Sequence, residues 1–196
     1  MGACDFIAGI MRLMITGRLG SGVSHRCRLS PRFMVSLFAL GLGSNQPHPA
    51  LGCPRRVVAA AMARLDGDVV RSVRESRIIA SAPIGPSTRT YANAALIVET
   101  ALMPLELLEY LKALEQEFGR RSRGQRWRAR VLDLDILLWS GGYFQAPTLI
   151  IPHVEMGKRP FVLAPLSEIA GAWRDPVTGL SIRHLKARLD RKAPAA

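Results

Sequence analysis

Arg120, Arg121, Arg123, Arg126, Arg128 and Arg130 crowd eleven residues, and the chain then runs straight into Leu132-Asp133-Leu134-Asp135-Ile136-Leu137-Leu138. On a strand, residues two apart point the same way, with Cα atoms roughly 6.5–7 Å apart. Asp133 and Asp135 should therefore share a face with Val131 and Leu137, while Leu132, Leu134, Ile136 and Leu138 turn to the core. Two carboxylates so placed can converge on one metal ion or a metal pair. Hard oxygen ligands suit magnesium, which takes one or two carboxylates and completes its shell with phosphate oxygens and water. Guanidinium groups bind phosphate oxygens through paired hydrogen bonds. Together these features make what a polyphosphate site needs. Each has a plainer alternative: surface aspartates salt-bridged to nearby arginines, and a solvated basic loop or a nucleic-acid patch. These residues alone leave the alternatives open.

Elements that could position them are legible around this segment. Val35 to Leu42 is an apolar run ending in Gly43-Ser44-Asn45, a buried strand leading into a turn. Pro54 opens a helix with Val57, Val58, Ala61, Met62 and Leu65 at helical spacing, and Gly67 is placed to end it. Val69 to Ala80 is strand-like, and Ser81-Ala82-Pro83-Ile84-Gly85-Pro86 must be a loop. Ala94 to Ala101 is a further strand. Pro104 then opens a second helix, with Leu105, Leu108, Leu111 and Phe118 near one face and Leu107 and Leu114 beside them, and Gly119 stops it. The strand Val131 to Leu138 follows the arginines. Thr148 to Ile151 is a short apolar piece before Pro152, and a last helix is expected near Ser181 to Leu189. Strand, helix, strand, strand, helix, strand is the ferredoxin-like order. The expectation is an α+β fold with a βαββαβ core: an antiparallel sheet, helices on one face, and the opposite face open to a ligand.

The bulk properties agree with an anionic partner. The chain has 196 residues, a formal net charge of +12 and 48% hydrophobic residues, enough for one substantial core. Cys4, Cys27 and Cys53 show no metal spacing, and an odd number of thiols fits a reducing, cytoplasmic setting. No run is long enough to span a membrane. Residues 1–33 are nearly free of acids and carry no residue of the presumptive site, so they read as an N-terminal extension, disordered or mis-started. The expected organisation is that extension, a domain over 34–175, and a helical tail over 176–196.

The motifs jointly resemble the 6-hydroxymethyl-7,8-dihydropterin pyrophosphokinase family. The family's Arg-Trp, short step to Arg, then Leu-Asp-Leu-Asp-Ile stands here as Arg126-Trp127-Arg128-Ala129-Arg130-Val131-Leu132-Asp133-Leu134-Asp135-Ile136. The resemblance runs from Gly41-Leu42-Gly43-Ser44-Asn45 through Pro83-Ile84-Gly85-Pro86, Tyr91-Ala92-Asn93-Ala94, Glu115 and Gly119-Arg120. It continues to Ile151-Pro152-His153 and Arg159-Pro160-Phe161-Val162-Leu163, covering about residues 35–172 in order. It implies transfer of pyrophosphate from ATP to the hydroxymethyl group of a reduced pterin, with release of AMP, in folate biosynthesis. It implies two magnesium ions on Asp133 and Asp135, with Arg120 and Arg130 near the reacting phosphates. It carries ATP contacts onto Glu115, Arg126, Trp127, Arg130, Ile136, His153 and Arg159, and pterin contacts onto Ser81, Ile84, Tyr91, Asn93, Trp127 and Phe161. The partners it implies are ATP and the pterin, with no nucleic acid and no membrane, for a monomer or weak dimer.

The chemistry of the residues agrees with that set. A pterin is a flat ring with an amide-like edge. Tyr91 and Phe161 could stack on its faces, and Asn93 offers both a donor and an acceptor to the edge. The bland reading of Tyr91 and Phe161 is ordinary core, and of His153 a turn histidine. The chain departs from the family at Arg128-Ala129 (usually Gly-Pro), Ser122 (often basic, with Arg121 or Arg123 as substitutes), Val154 (often aromatic) and Ser81-Ala82 (usually Thr-Pro). Two rival classes are an RNA-binding module on the same fold and a metal-dependent nuclease. Aromatics are only 6% and form no strand run of the RNA-binding type, and neither rival accounts for Tyr91-Ala92-Asn93.

Overall fold

The computed structural model describes residues 35–82, 90–119 and 130–192. The chain divides at Met34 into two units, and all described residues belong to the second. Its elements in order are β1 (Ser36–Ser44), α1 (Pro54–Arg64), β2 (Val70–Glu75), β3 (Ile79–Ser81), β4 (Tyr91–Thr100), α2 (Pro104–Glu117), β5 (Asp133–Trp139), β6 (Phe144–Ala146), β7 (Leu149–Ile151), a 3-10 turn (Met156–Lys158), α3 (Pro160–Ala170) and α4 (Ile182–Lys192).

The main sheet is antiparallel throughout, in the order β2-β4-β1-β5, with β3 also paired to β4. This is the ferredoxin-like arrangement expected from the element order. Period-two alternation puts Phe38, Leu40 and Leu42 of β1 on one face with Ala92, Ala94, Leu96 and Val98 of β4. Against them pack Val57, Val58, Ala61 and Met62 of α1 and Leu107, Leu111 and Leu114 of α2. Pro begins both helices, where a missing N–H costs nothing. Gly119 follows α2 at φ +85°, a conformation that favours glycine. The first helix stops at Arg64, three residues short of Gly67.

Three differences from the expected elements bear on the site. The strand read over Val69 to Ala80 is two strands. Between them Ser76 donates its N–H to the Ala95 carbonyl, and its hydroxyl accepts from the Ala95 N–H, bridging the interruption. β4 begins three residues early, at Tyr91, so Tyr91 and Asn93 lie two apart on a strand and share one face. The third is α3, which the sequence did not disclose. It is apolar nearly all round and contains Pro165, so it lacks both the amphipathic stripe and the unbroken run that mark a helix.

With α4, α3 covers half of the second sheet face. Leu163, Leu166, Ile169 and Ile182 pack there against Ala39, Ala95, Ile97 and Leu137. That face is thus only half open, where the sequence reading left it free. The alternation expected of β5 also ends at both of its ends. Val131 precedes the strand and packs toward the α1/α2 core. A bulge opposite Ala39/Leu40 pairs Ile136 with Leu40 but Leu138 with Ala39, so Leu138 joins Leu137 in the α3/α4 layer.

Leu96 lies fully buried in the α1/α2 core. Leu96→Ala should cost about 2–5 kcal/mol of unfolding free energy, read from urea denaturation midpoints, because the removed atoms leave a cavity. A loss below about 1 kcal/mol would mean this layer is not the close-packed core described.

Candidate functional site

The open half of the second face is where the chemistry gathers. Its floor is bare because β1 carries glycine at both outward positions. A Cβ on Gly41 would sit 3.3 Å from the Leu137 side chain, and one on Gly43 would sit 3.5 Å from Asn93 Oδ1. Above that floor is a cavity of about 390 Å³, within the usual range for small-molecule sites. Tyr91 and Asn93 of β4, Ser81 of β3, Asp133 and Asp135 of β5, Arg130, and Arg159 and Phe161 at the start of α3 all line it. Elements far apart in sequence therefore bring eight of the expected residues together.

Asn93 is only 5% exposed, and its Nδ2 donates to Ser81 Oγ at 2.8 Å. The β3–β4 register sets that contact by pairing Ile79 with Asn93 and Ser81 with Tyr91. At the other wall, Arg130 Nη1 lies 2.6 Å from both oxygens of Asp133. Burial alone would lower the Arg130 pKa, but Asp133, Asp135 and Glu115 draw it above its ordinary value. Asp135 moves the other way from most ion-paired acids. Burial pushes its carboxyl up, the adjacent Asp133 adds to this, and His153, Arg159 and Arg130 pull it only part of the way back.

His153 follows the cis Ile151–Pro152 peptide. Its N–H donates to the Leu137 carbonyl at 3.1 Å, and its Nδ1 accepts from the Glu155 N–H at 3.1 Å. Its Nε2 is thereby turned toward Asp135, 3.9 Å from Oδ1.

Three expected residues are not among those that line the cavity: His153, which faces Asp135, and Glu115 and Ile136, which stand on α2 and β5. Glu115 of α2 is 3% exposed, and a carboxylate oxygen accepts the Leu134 N–H at 2.8 Å on the outer edge of β5. The Ile136 side chain points into the α1/α2 core. Its main-chain groups, two residues on from Leu134, face the same outer edge as Glu115. Only through its backbone can Ile136 meet a ligand. Ile84, Arg120, Arg126 and Trp127 lie outside the described residues, as do Arg121 and Arg123.

The cavity also has walls the sequence reading assigned no role: Ser44, Asn45, Glu155 and Lys158. The Gly-Leu-Gly-Ser-Asn run held a signal for the first two, since glycine at alternate strand positions exposes a sheet face and a polar residue there must find partners. For Glu155 and Lys158, which lie in and beside the 3-10 turn, no such local signal exists.

The donor set suits a divalent cation. Among the described residues no three of His, Cys, Asp or Glu gather as a ready-made metal cage. Asp133 and Asp135 instead offer two oxygen ligands on one face, leaving other positions to phosphate and water. Burial first, and the adjacent Asp133 second, weigh against the charge of Asp135, a cost that a cation held there would offset.

A family model described as 7,8-dihydro-6-hydroxymethylpterin-pyrophosphokinase (HPPK) matches residues 39–171. Relatives named 2-amino-4-hydroxy-6-hydroxymethyldihydropteridine pyrophosphokinase include one from Pseudomonas aeruginosa, 37% identical over 150 residues, covering 73% of this chain and 86% of that protein. Another, from Methylorubrum extorquens, is 35% identical and covers 77% and 92%. A third, from Synechocystis sp., is 42% identical over 110 residues, and the match spans only 56% of each chain. Among solved structures, a Plasmodium falciparum HPPK-DHPS superposes with a TM-score of 0.60 at 13% identity. That match covers 79% of this chain and 43% of that one, and shows likeness of fold.

Asp135→Asn removes a carboxylate that the folded state penalises. Without nucleotide and divalent cations, its melting midpoint near neutral pH should exceed that of the unaltered protein. Above the raised pKa the carboxyl is ionised in both states and disfavoured only when folded, so the gain is present there. It should fade as pH falls through that pKa, because protonated Asp is neutral like Asn. A lower midpoint for the variant at neutral pH would show that attraction to His153 and Arg159 outweighs burial and Asp133.

Proposed function

The chain belongs to the 7,8-dihydro-6-hydroxymethylpterin-pyrophosphokinase family, and from that premise we propose that it transfers the pyrophosphoryl group of ATP to the hydroxymethyl oxygen of 6-hydroxymethyl-7,8-dihydropterin, releasing AMP. The observation that carries the reading is the cavity itself. Its lining brings two aromatic residues, Tyr91 and Phe161, together with two carboxylates, Asp133 and Asp135, and two arginines, Arg130 and Arg159. One site can then take a flat heterocycle and a polyphosphate side by side.

In this reading the pterin lies on the bare floor of Gly41 and Gly43. Tyr91 and Phe161 flank its faces, and Asn93, held by Ser81, meets its polar edge. The nucleotide runs from the carboxylates toward the β5 edge, where Glu115 and the Ile136 main chain stand, with His153 and Arg159 alongside. Asp133 and Asp135 would hold magnesium, which when bound neutralises phosphate charge and orients the reacting oxygens. Arg130 is placed to shift from Asp133 toward the phosphates, where charge-assisted bonds stabilise the charge that builds up in transfer. A bond forms between the hydroxymethyl oxygen and the β-phosphorus as the bond from that phosphorus to the α,β-bridging oxygen breaks. The hydroxyl proton leaves to solvent, and no side chain is assigned as its acceptor. Most of the catalytic effect falls to alignment and charge, as in other phosphoryl transfers.

The same reading confines the activity to the second unit. Residues 1–33 precede the family match and are proposed as an extension, 34–175 as the enzyme domain, and 176–196 as a tail containing α4. A cytoplasmic monomer or weak dimer fits the unpaired cysteine count and a site assembled within one chain. Among the described residues no helix is long and apolar enough to cross a membrane.

The deciding experiment uses ATP labelled separately at the β and γ positions. Both labels should appear together on the pterin, with AMP as co-product. Transfer of the γ label alone, with ADP accumulating, would overturn the proposed reaction. Asp133→Asn and Asp135→Asn should each nearly abolish transfer while the protein stays folded, and excess magnesium should rescue only in part.

A chain beginning at Met34 should keep both the cooperative thermal transition and turnover. Loss of either would place residues 1–33 within the functional domain.

A further inference from the structure

We infer that Asn45 is a positioning residue, clamping the main chain of Arg130 and so fixing where the guanidinium beside Asp133 stands. The kinetic part of this inference rests on the reaction proposed above; the structural part does not. Asn45 follows directly on the last residue of β1, is polar, and yet is only 5% exposed. Its burial is offset by two bonds to a single residue 85 positions away. Its Oδ1 accepts the Arg130 N–H at 2.7 Å, and its own N–H donates to the Arg130 carbonyl at 3.2 Å. One hydrogen bond would let the chain pivot; a reciprocal pair fixes both the place and the direction of the backbone.

Arg130 sits where the chain enters β5, three residues before Asp133. Its side chain is half exposed, so packing alone does not fix it. The guanidinium must nonetheless stand within reach of the carboxylates in one state and of phosphate in the other. Small displacements of a charged donor are costly in transfer chemistry. The clamp supplies the fixed point from which that side chain swings. Asparagine suits the task because it offers a carbonyl acceptor without adding a third negative charge to Asp133 and Asp135.

The test is a double-variant cycle combined with amide exchange, made on the full chain. Asn45→Ala should lower kcat about tenfold or more with the pterin KM little changed. It should speed exchange of the Arg130 amide and shift the melting midpoint only modestly. In an Arg130→Ala background the same change should have no further effect on kcat, because the group it positions is gone. Asn45→Ser, whose hydroxyl is too short to span the gap, should match Asn45→Ala in all readouts and stands in for it if Asn45→Ala does not fold. Wild-type kcat in Asn45→Ala, losses that multiply with those of Arg130→Ala, a raised pterin KM in both backgrounds, or an Arg130 amide exchanging as slowly as in the wild type would each overturn the inference. If the wild-type protein forms no AMP, the proposed reaction fails, and the exchange of the Arg130 amide still decides the clamp.

Discussion

Two carboxylates side by side on one strand repel, and much of the molecule around β5 is arranged to contain that repulsion. Arg130 approaches from the residues before the strand and takes Asp133. His153 and Arg159 approach from the residues after it and face Asp135. The return is organised by the β6–β7 hairpin, the bond from the His153 N–H to the Leu137 carbonyl, and the start of α3. Even so, the compensation is incomplete, since the Asp135 carboxyl remains above its ordinary pKa. In the proposed reading, a magnesium–polyphosphate ligand would bring positive charge where the carboxylates are and negative charge where the cations are.

The second constraint is that one sheet face must serve as both core and binding surface. The division falls across β1 and β5. On β1, Ala39 is buried under α3 and α4, while Gly41 and Gly43 stay bare. On β5 the bulge marks the same frontier. Before it the outward positions are Asp133 and Asp135, and beyond it Leu138 turns into the α3/α4 layer. A bulge adjoining a functional site, re-aiming side chains, is a recurrent use of that irregularity. Here it lets one short strand carry a polar ligand-facing half and an apolar packed half.

How much of this could be read beforehand depended on whether the signal was local. The βαββαβ order was legible because α1 and α2 have proline starts and amphipathic spacing, and because β1, β4 and β5 are continuous apolar runs. α3 escaped because a helix buried on most sides has no polar face to give it period, and Pro165 reads as a breaker. Strict alternation puts Leu138 and Val131 on the wrong faces because it takes no account of bulges or of where pairing begins. In the site, Asp133 and Asp135 were findable by type and spacing, whereas Asn93 came only with the motif resemblance. Tyr91, Phe161, His153 and Arg159 needed the motif resemblance to raise them above ordinary core and surface residues. The clamp between Asn45 and Arg130 joins positions 85 apart in the chain, and no local pattern encodes such a pair.

The bare floor at Gly41 and Gly43 has a consequence for inhibition. An inhibitor that gains its affinity from side chains can be escaped by changing those side chains. One that lies flat against these two residues touches main chain, which substitution cannot remove. The only change available there is added bulk, and a Cβ at Gly41 already meets Leu137 at 3.3 Å. Any larger residue would narrow the slot for the natural ligand as much as for its competitor. Resistance arising at this floor would therefore carry its own loss of function.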